Sequence, residues 1–542
     1  MEMKPVVPPY FFVILAAILL QACRPHTNHG KKIFRYNETT GIASLDPAFA
    51  RNQSVMWAIH QLYNTLVEVD DSMKIKPSLA KSWEFSADKR SVLFHLRNDV
   101  FFHDDPVFAN GKGRKLTAQD VQYSFNRILN KATASPGAWI FNDRVDSLQP
   151  FLALNDSSFQ LKLARPFQPI LGILSMQYCS IVPREAVEEY KTDFRCHPVG
   201  SGPFAFVAWD EGQALIMKKN ENYFETDSSG KKMPYLDGIK VSFFDSKATE
   251  FLEFRQSRLD FINDIESSFK DEVLSKTGNL KKQWEGKIRL NKQPYLNIEY
   301  FGILMDSSNP QLAASPLRLK KIRQAINYGI NRKKMMLYMR NSIGTPAESG
   351  FVPQGLPSFD AAAVKGYVYD PELAKTLLKE AGFEKGTLPV KLLTIPIYAS
   401  IASFVANELQ QLGINVQVET VQKSLLFEQT SKGQALFFRG SWIADYPDAE
   451  NYLSVFYSKN PAPPNYTRYK NPAFDVLYNQ ALEETNDSLR YELYRQMDKL
   501  VLADAPIVPL WYDMVLHLVQ PSVKNFKANS LNMLELRRVE KE

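Results

Sequence analysis

Only three of the 542 residues are cysteine and seven are histidine. No H-E-x-x-H or paired C-x-x-C spacing is present, and Cys196-His197 has no second pair, so a metal centre finds no support. Long apolar runs are missing as well. The longest, Tyr10 to Leu20, is eleven residues, against the roughly 20 that a membrane-spanning helix needs. Neither sign of charge dominates: 65 Lys and Arg stand against 59 Asp and Glu, a net +6 without a dense basic cluster. That pattern describes a mixed, solvated surface and gives no reason to expect a nucleic-acid partner. Signatures of catalysis are lacking too. There is no G-x-x-x-x-G-K-[ST], no G-x-S-x-G and no G-x-G-x-x-G opening a helix. The neighbouring carboxylates Asp104-Asp105 and Glu483-Glu484 read as solvated pairs.

What the chain does contain is material for a core. Hydrophobic residues make up 45% and aromatics 12% (35 Phe, 24 Tyr, 7 Trp), which fits about three to five packed units at ~100–200 residues each. The first residues carry an address: Lys4, then the apolar run, then Leu20-Gln21-Ala22-Cys23, which resembles a bacterial lipobox. Used as such, it removes residues 1–22 and leaves a 520-residue chain with a lipidated Cys23 at its start, tethered to the fold by residues 23–31. Export would expose Cys179 and Cys196 to an oxidising compartment, where either a disulfide or two free thiols fits the sequence.

Strand-like and helix-like segments alternate from Ile33 onwards. Ser91 to Arg97 alternates with period two, and Gly238 to Phe244 and Ile414 to Glu419 are strand-like. Thr117 to Leu129 puts Val121, Phe125, Ile128 and Leu129 on one helical stripe with Thr117 as N-cap. Pro371 to Ala381 reads as a helix with proline in its first turn and Gly382 past its end. Pro198-Val199-Gly200-Ser201-Gly202-Pro203 reads as a rigid backbone crossover rather than the seat of a serine nucleophile. Mixed α/β architecture follows, with no internal repeat and no linker that divides the chain.

Five segments in order carry a likeness. Leu79-Ala80-Lys81-Ser82-Trp83-Glu84 with Phe94 to Asp104, Leu116 to Leu129, Pro198 to Phe204, Arg323 to Arg332, and Tyr369-Asp370-Pro371 through Phe383 together resemble the extracellular solute-binding proteins of family five, which include dipeptide and oligopeptide binders of ABC importers. The resemblance implies a two-lobed periplasmic-binding-protein fold, type II-like, with an inserted domain. Lobe I would take residues 32–57, 198–292 and 515–542, domain II residues 58–197 and lobe III residues 293–514. It further implies a monomeric, lipid-anchored subunit in the cell envelope, without cofactor or catalysis, that delivers short peptides to an ABC permease and ATPase.

The stretch Phe437 to Asp448 resembles the family's ligand-facing strand and loop. By that likeness Asp445 would pair with a ligand's α-ammonium, Trp442 would offer an apolar face, and Arg439 would stand near the ligand carboxylate. A desolvated carboxylate facing a cation gains a charge-assisted hydrogen bond. The chain also departs from the family: Arg51 to Trp57 holds no acidic residue where oligopeptide binders place one, the usual Asn is missing from Tyr300 to Leu304, and Ser441 replaces glycine. An oligosaccharide or metal chelate is therefore the alternative ligand, and a cell-envelope hydrolase the alternative class.

Overall fold

The computed structural model describes residues 30–265, 267–383 and 388–542. The expected signal segment and Cys23 lie outside the described residues. Helices and strands alternate as the periodicities require. Thr117 precedes the helix Ala118–Leu129, and the Asp120 carboxylate accepts the Thr117 backbone N–H at 2.8 Å and its hydroxyl at 3.1 Å. Val121, Phe125 and Ile128 of its stripe are buried and Leu129 is half-buried. In the helix Pro371–Glu380, Asp370 caps by accepting from the Leu373 N–H, and Gly382 follows at φ +85°.

Three main sheets organise the chain. Ile33–Asn37 lies parallel to Gly238–Ser242, and Ala214–Lys219 and Phe204–Asp210 complete that four-stranded sheet. A second four-stranded sheet runs Ala80–Phe85, Ser91–Leu96, Ser158–Lys162, Phe151–Asn155. The third is seven-stranded and built on two long strands, Arg289–Ile303 and Ile507–Val519, paired antiparallel along most of their length. Near its start the pair is extended by Phe261–Asn263, and further along Phe437–Ile443 joins it, followed by Leu388–Thr394 and Ile414–Thr420. The register of the long pair shifts between Pro294 and Ile298, where a bulge locally breaks the ladder and increases its twist.

One apolar core runs beneath the first two sheets and on into Tyr446–Tyr457, while a second packs the helices Lys320–Tyr328 and Ala399–Gln410 on the strands Leu388–Thr394 and Ile414–Thr420. Among the described residues no helix is long and apolar enough to cross a membrane. The disulfide left open by the sequence is absent, since both thiols are free. Cys179 is fully buried and points its Sγ at the Ile173 carbonyl, and burial pushes its thiol pKa up. Cys196 sits half-buried and donates to the Asp193 carbonyl at 3.3 Å.

The glycine-proline crossover is a three-way junction. Gly202 N–H donates to the Leu62 carbonyl at the end of the helix Gln53–Leu62, and His103 N–H donates to the Gly200 carbonyl at 2.7 Å. The His103 ring reaches the Gly202 carbonyl at 3.0 Å, and burial lowers its pKa to about 4, so it stays neutral. A Cβ on Gly200 would lie 2.0 Å from the Leu62 carbonyl oxygen, which is backbone and cannot step aside. Gly200→Ala should therefore cost about 2–4 kcal/mol in a denaturant or thermal melt; a change within ~0.5 kcal/mol would mean that the junction relaxes freely.

Candidate functional site

A cavity of about 960 Å³ opens beside the bulge of the seven-stranded sheet. That is the upper range for a small-molecule pocket. Its walls come from separate parts of the chain: Arg51 to His60 at the helix Gln53–Leu62, Trp139 and Met176 to Tyr178 beyond the second sheet, Tyr295 and Leu296 at the bulge, Ile443 to Asp445, and the C-terminal Asn525 to Arg538.

Period-two alternation along Phe437–Ile443 sends successive side chains to opposite faces of the sheet. Arg439 faces Glu299 of the neighbouring strand: Nη2 donates to both carboxylate oxygens at 2.7 and 2.6 Å and Nε donates at 3.1 Å. The Tyr398 ring lies 4.0 Å from the guanidinium, and the Tyr398 hydroxyl donates to Glu299 at 3.1 Å. Burial raises the Glu299 pKa although Arg439 pulls it down. Arg439 is thus outside the cavity wall with Nε and Nη2 engaged by Glu299. Trp442 also lies off the wall, packed against the main core with its indole N–H donating to Asn451 Oδ1 at 2.9 Å.

Asp445 is on the wall. The strand has just ended, and the Ala444 N–H donates to the Leu296 carbonyl, which fixes the chain where it turns towards the cavity. Asn451 Nδ2 donates to Asp445 Oδ2 at 3.2 Å, and the Asp445 backbone N–H donates to Asn451 Oδ1 at 3.3 Å. Burial raises the Asp445 pKa, against smaller opposing effects from the Asn451 hydrogen bond and the charge of Arg144. No cation stands within ion-pair distance of this carboxylate among the described residues. Asn451 is the residue that the motif reading missed. It joins Trp442 to Asp445, and a buried Asn three positions beyond the motif carries no signal of that role by itself.

Another part of the wall is also charged, but internally paired. Arg537, 4% exposed, donates to Glu68 at 2.9 and 3.0 Å and lies 3.0 Å from Glu225 and 3.1 Å from Glu535. Lys76 bridges to Glu68 at 3.0 Å and His60 to Glu535 at 3.3 Å. Burial is the largest effect on Glu68 and Glu535 and opposes their ionisation, yet Arg537 together with Lys76 at Glu68 and His60 at Glu535 holds both pKa values down. None of these residues falls within the five recognised segments. Among the described residues no cluster of three or more His, Cys, Asp or Glu could hold a metal ion.

Residues 74–464 match the family described as "Bacterial extracellular solute-binding proteins, family 5 Middle". Heme-binding protein A of Haemophilus influenzae is 28% identical over 486 residues, which covers 86% of this chain and 84% of that protein. The dipeptide-binding protein of Escherichia coli is 25% identical over 494 residues, 87% of each. The structure of DppA from Helicobacter pylori in complex with the peptide STSA superposes with a TM-score of 0.70 at 26% identity, over 95% of this chain and 98% of that one.

Replacing Asn451 by leucine should leave the Trp442 indole and the Asp445 carboxylate without their partner. The expected loss is ~1–3 kcal/mol of stability, with a shift of Trp442 fluorescence that a Trp442→Phe background removes. An unchanged melting curve and spectrum would show that water replaces the amide fully.

Proposed function

Because the chain belongs to the bacterial extracellular solute-binding proteins of family 5, we propose that it is the lipid-anchored binding subunit of an ABC importer for short peptides. The observation that carries this reading is Asp445. A carboxylate exposed to the cavity, its pKa raised by the protein packed around it and held by one amide without a paired cation, is set to receive a ligand's ammonium. The peptide backbone can then pair with the nearby strand end, so affinity need not depend on side-chain identity. Trp442 supports that wall from behind through Asn451, and Arg439 braces the strand through Glu299.

We read the two long strands as the hinge. The proposed lobe boundaries after residues 292 and 514 sit at opposed positions, Gln293 facing Val515, one step before the bulge. Residues 32–57, 198–292 and 515–542 then form lobe I, residues 293–514 lobe III, and residues 58–197 the inserted domain that walls one side. Closure about the hinge would remove water from the ligand and present an occupied shape to permease and ATPase, with binding and no chemical step. Lipidation at Cys23 would hold the subunit at the extracytoplasmic face of a membrane.

Ligand released from purified protein should be peptide by mass spectrometry; recovery of sugars, chelates or porphyrin instead would overturn the peptide reading. Calorimetry should find a free dipeptide bound at least ~10-fold more tightly than its N-acetylated twin, with Asp445→Asn erasing the difference at an unchanged melting temperature. Only the charged carboxylate attracts the ammonium, so affinity should fall on acidification through the raised pKa of Asp445, above the ordinary 3.8.

A further inference from the structure

Methionine is spread thinly, 14 in 542 residues, yet Met56, Met176 and Met533 meet on the cavity wall from segments far apart in the chain. The role given to Asp445 uses none of them. Met56 and His60 are one turn apart on the helix Gln53–Leu62 and both line the cavity, so they share the helix face turned towards it. His60 marks where the other two methionines come in.

The C-terminal segment lies alongside this helix. The Trp57 indole N–H donates to the Asn532 carbonyl at 2.6 Å and the Gln61 amide donates to the Leu534 carbonyl at 2.6 Å, which holds the segment along one helical turn. Its burial alternates. Asn532, Leu534 and Leu536 are buried, whereas Leu531, Met533 and Glu535 are half-buried and line the cavity. Glu535 reaches His60 at 3.3 Å, and Met533 directly follows the residue held by Trp57, the sequence neighbour of Met56. Met176 enters from a third segment. The adjacent Gln177 amide lies 3.4 Å from His60 Nδ1, and the Tyr178 ring presses on Gly137, where an added Cβ would lie 2.4 Å from it. Trp139, two residues beyond Gly137, lines the cavity too. An added Cβ at Gly172, four residues before Met176, would lie 3.6 Å from Pro447 Cδ, so the same short segment joins this sector to the turn after Asp445.

The polar members of this sector answer one another. Glu535 is taken by His60 at 3.3 Å and by Arg537 at 3.1 Å, and Gln177 is taken by His60. What they leave for a ligand is three thioethers, Leu531 and the Trp139 indole. Methionine is unbranched and polarizable, so its side chain rearranges around guests of different outline, and its sulfur gains further on meeting an aromatic ring. Branched aliphatic residues would select one shape; thioethers accept several large ones. A small side chain leaves such a wall wet, and a charged one loses its hydration without a partner.

We propose that Met56, Met176, Met533 and Trp139 form a side-chain subsite, so that this cavity selects peptides carrying a large apolar residue, aromatic or thioether, over peptides of small or charged residues. The assignment rests on the peptide reading above and names the class of side chain that such a peptide brings. Selectivity here comes from apolar area and from the adaptability of the thioethers, and it is independent of the ammonium contact at Asp445.

The test is calorimetry of the full protein with dialanine, Ala-Phe, Phe-Ala, Ala-Met, Ala-Lys and Ala-Glu, joined to NMR of the methionine methyl groups. The chains compared are the unaltered protein, the double variant Met56→Gln with Met533→Gln, the double variant Met56→Leu with Met533→Leu, and Leu148→Gln at a side chain 88% exposed. The unaltered protein should bind the better of the two phenylalanine dipeptides roughly 10- to 100-fold more tightly than dialanine, with Ala-Met between them and Ala-Lys and Ala-Glu no tighter than dialanine. That phenylalanine dipeptide should shift the methyl signals of Met56, Met176 and Met533 through its ring current, and dialanine should not. The glutamine pair should cut the preference to below about threefold, the leucine pair should keep most of it and Leu148→Gln all of it. The methyl shifts are read on the unaltered chain and do not depend on how the variants fold. Phenylalanine dipeptides no tighter than dialanine, a preference that survives the glutamine pair, or unmoved methyl signals overturn the subsite and leave the peptide reading standing. Failure of every peptide to bind overturns the peptide reading and the subsite with it.

Discussion

The antiparallel pairing of Arg289–Ile303 with Ile507–Val519 is the constraint on which the rest depends. Two segments more than 200 residues apart in the chain must meet in register before the seven-stranded sheet can exist. Once they do, Phe261–Asn263 adds near one end and Phe437–Ile443 near the other, and the cavity opens beside the bulge between them. Loss of one residue of register would turn every buried side chain of a strand to the opposite face. Buried arginines fasten this pairing from behind. Arg332 donates to the Pro509 carbonyl at 2.6 Å and to the Asn327 carbonyl at 2.9 Å, and Arg323 donates to the carbonyls of Asp504, Ala505 and Leu317. Each guanidinium satisfies several backbone acceptors that would be costly to bury alone.

Most of the residues that make the sequence recognisable do this kind of work. Arg323 and Arg332 hold carbonyls, Gly200 and Gly202 allow the chain to press against Leu62, Asp370 caps a helix, and Asp120 ties Thr117 to Arg114. They maintain a frame rather than touch its contents. The cavity wall is drawn instead from segments with weaker patterns: the turn at Arg51, the Gln177–Cys179 turn, and the C-terminal Asn525 to Arg538. A frame held by backbone contacts tolerates changes of wall chemistry, and this accounts for one fold whose members carry names as different as heme-binding and dipeptide-binding protein.

Charge at the wall follows the same division. Glu68, Glu535, Lys76 and Arg537 cancel one another within a few ångströms and behave as structure. Asp445 does not, because its partner Asn451 is neutral. Asp445 itself is exposed to the cavity, and the protein packed around it disfavours its charged form, a cost that a ligand's ammonium would relieve.

Local periodicity was enough to read the helix after Thr117, the helix after Asp370, the strands at Ser91 and Ile414 and the crossover at Gly200, because each depends on residues a few positions apart. The order of five short segments identified the family, and with it the mixed α/β fold and the strand that leads to Asp445. What local sequence could not carry were contacts between distant residues. Arg439 is charged and next to the right strand, yet only the arrival of Glu299 and Tyr398 shows where its guanidinium goes. Cys179 and Cys196 are seventeen positions apart, yet one is packed in the core and the other is near the surface as a separate thiol. Asn451 meets Trp442 and Asp445 only where the chain folds back after the strand. Sequence determined which segments exist and what frame they build, since backbone propensity and side-chain period act locally. Tertiary structure decided which charges remain free to meet a ligand, since that depends on whichever distant group reaches each charge first.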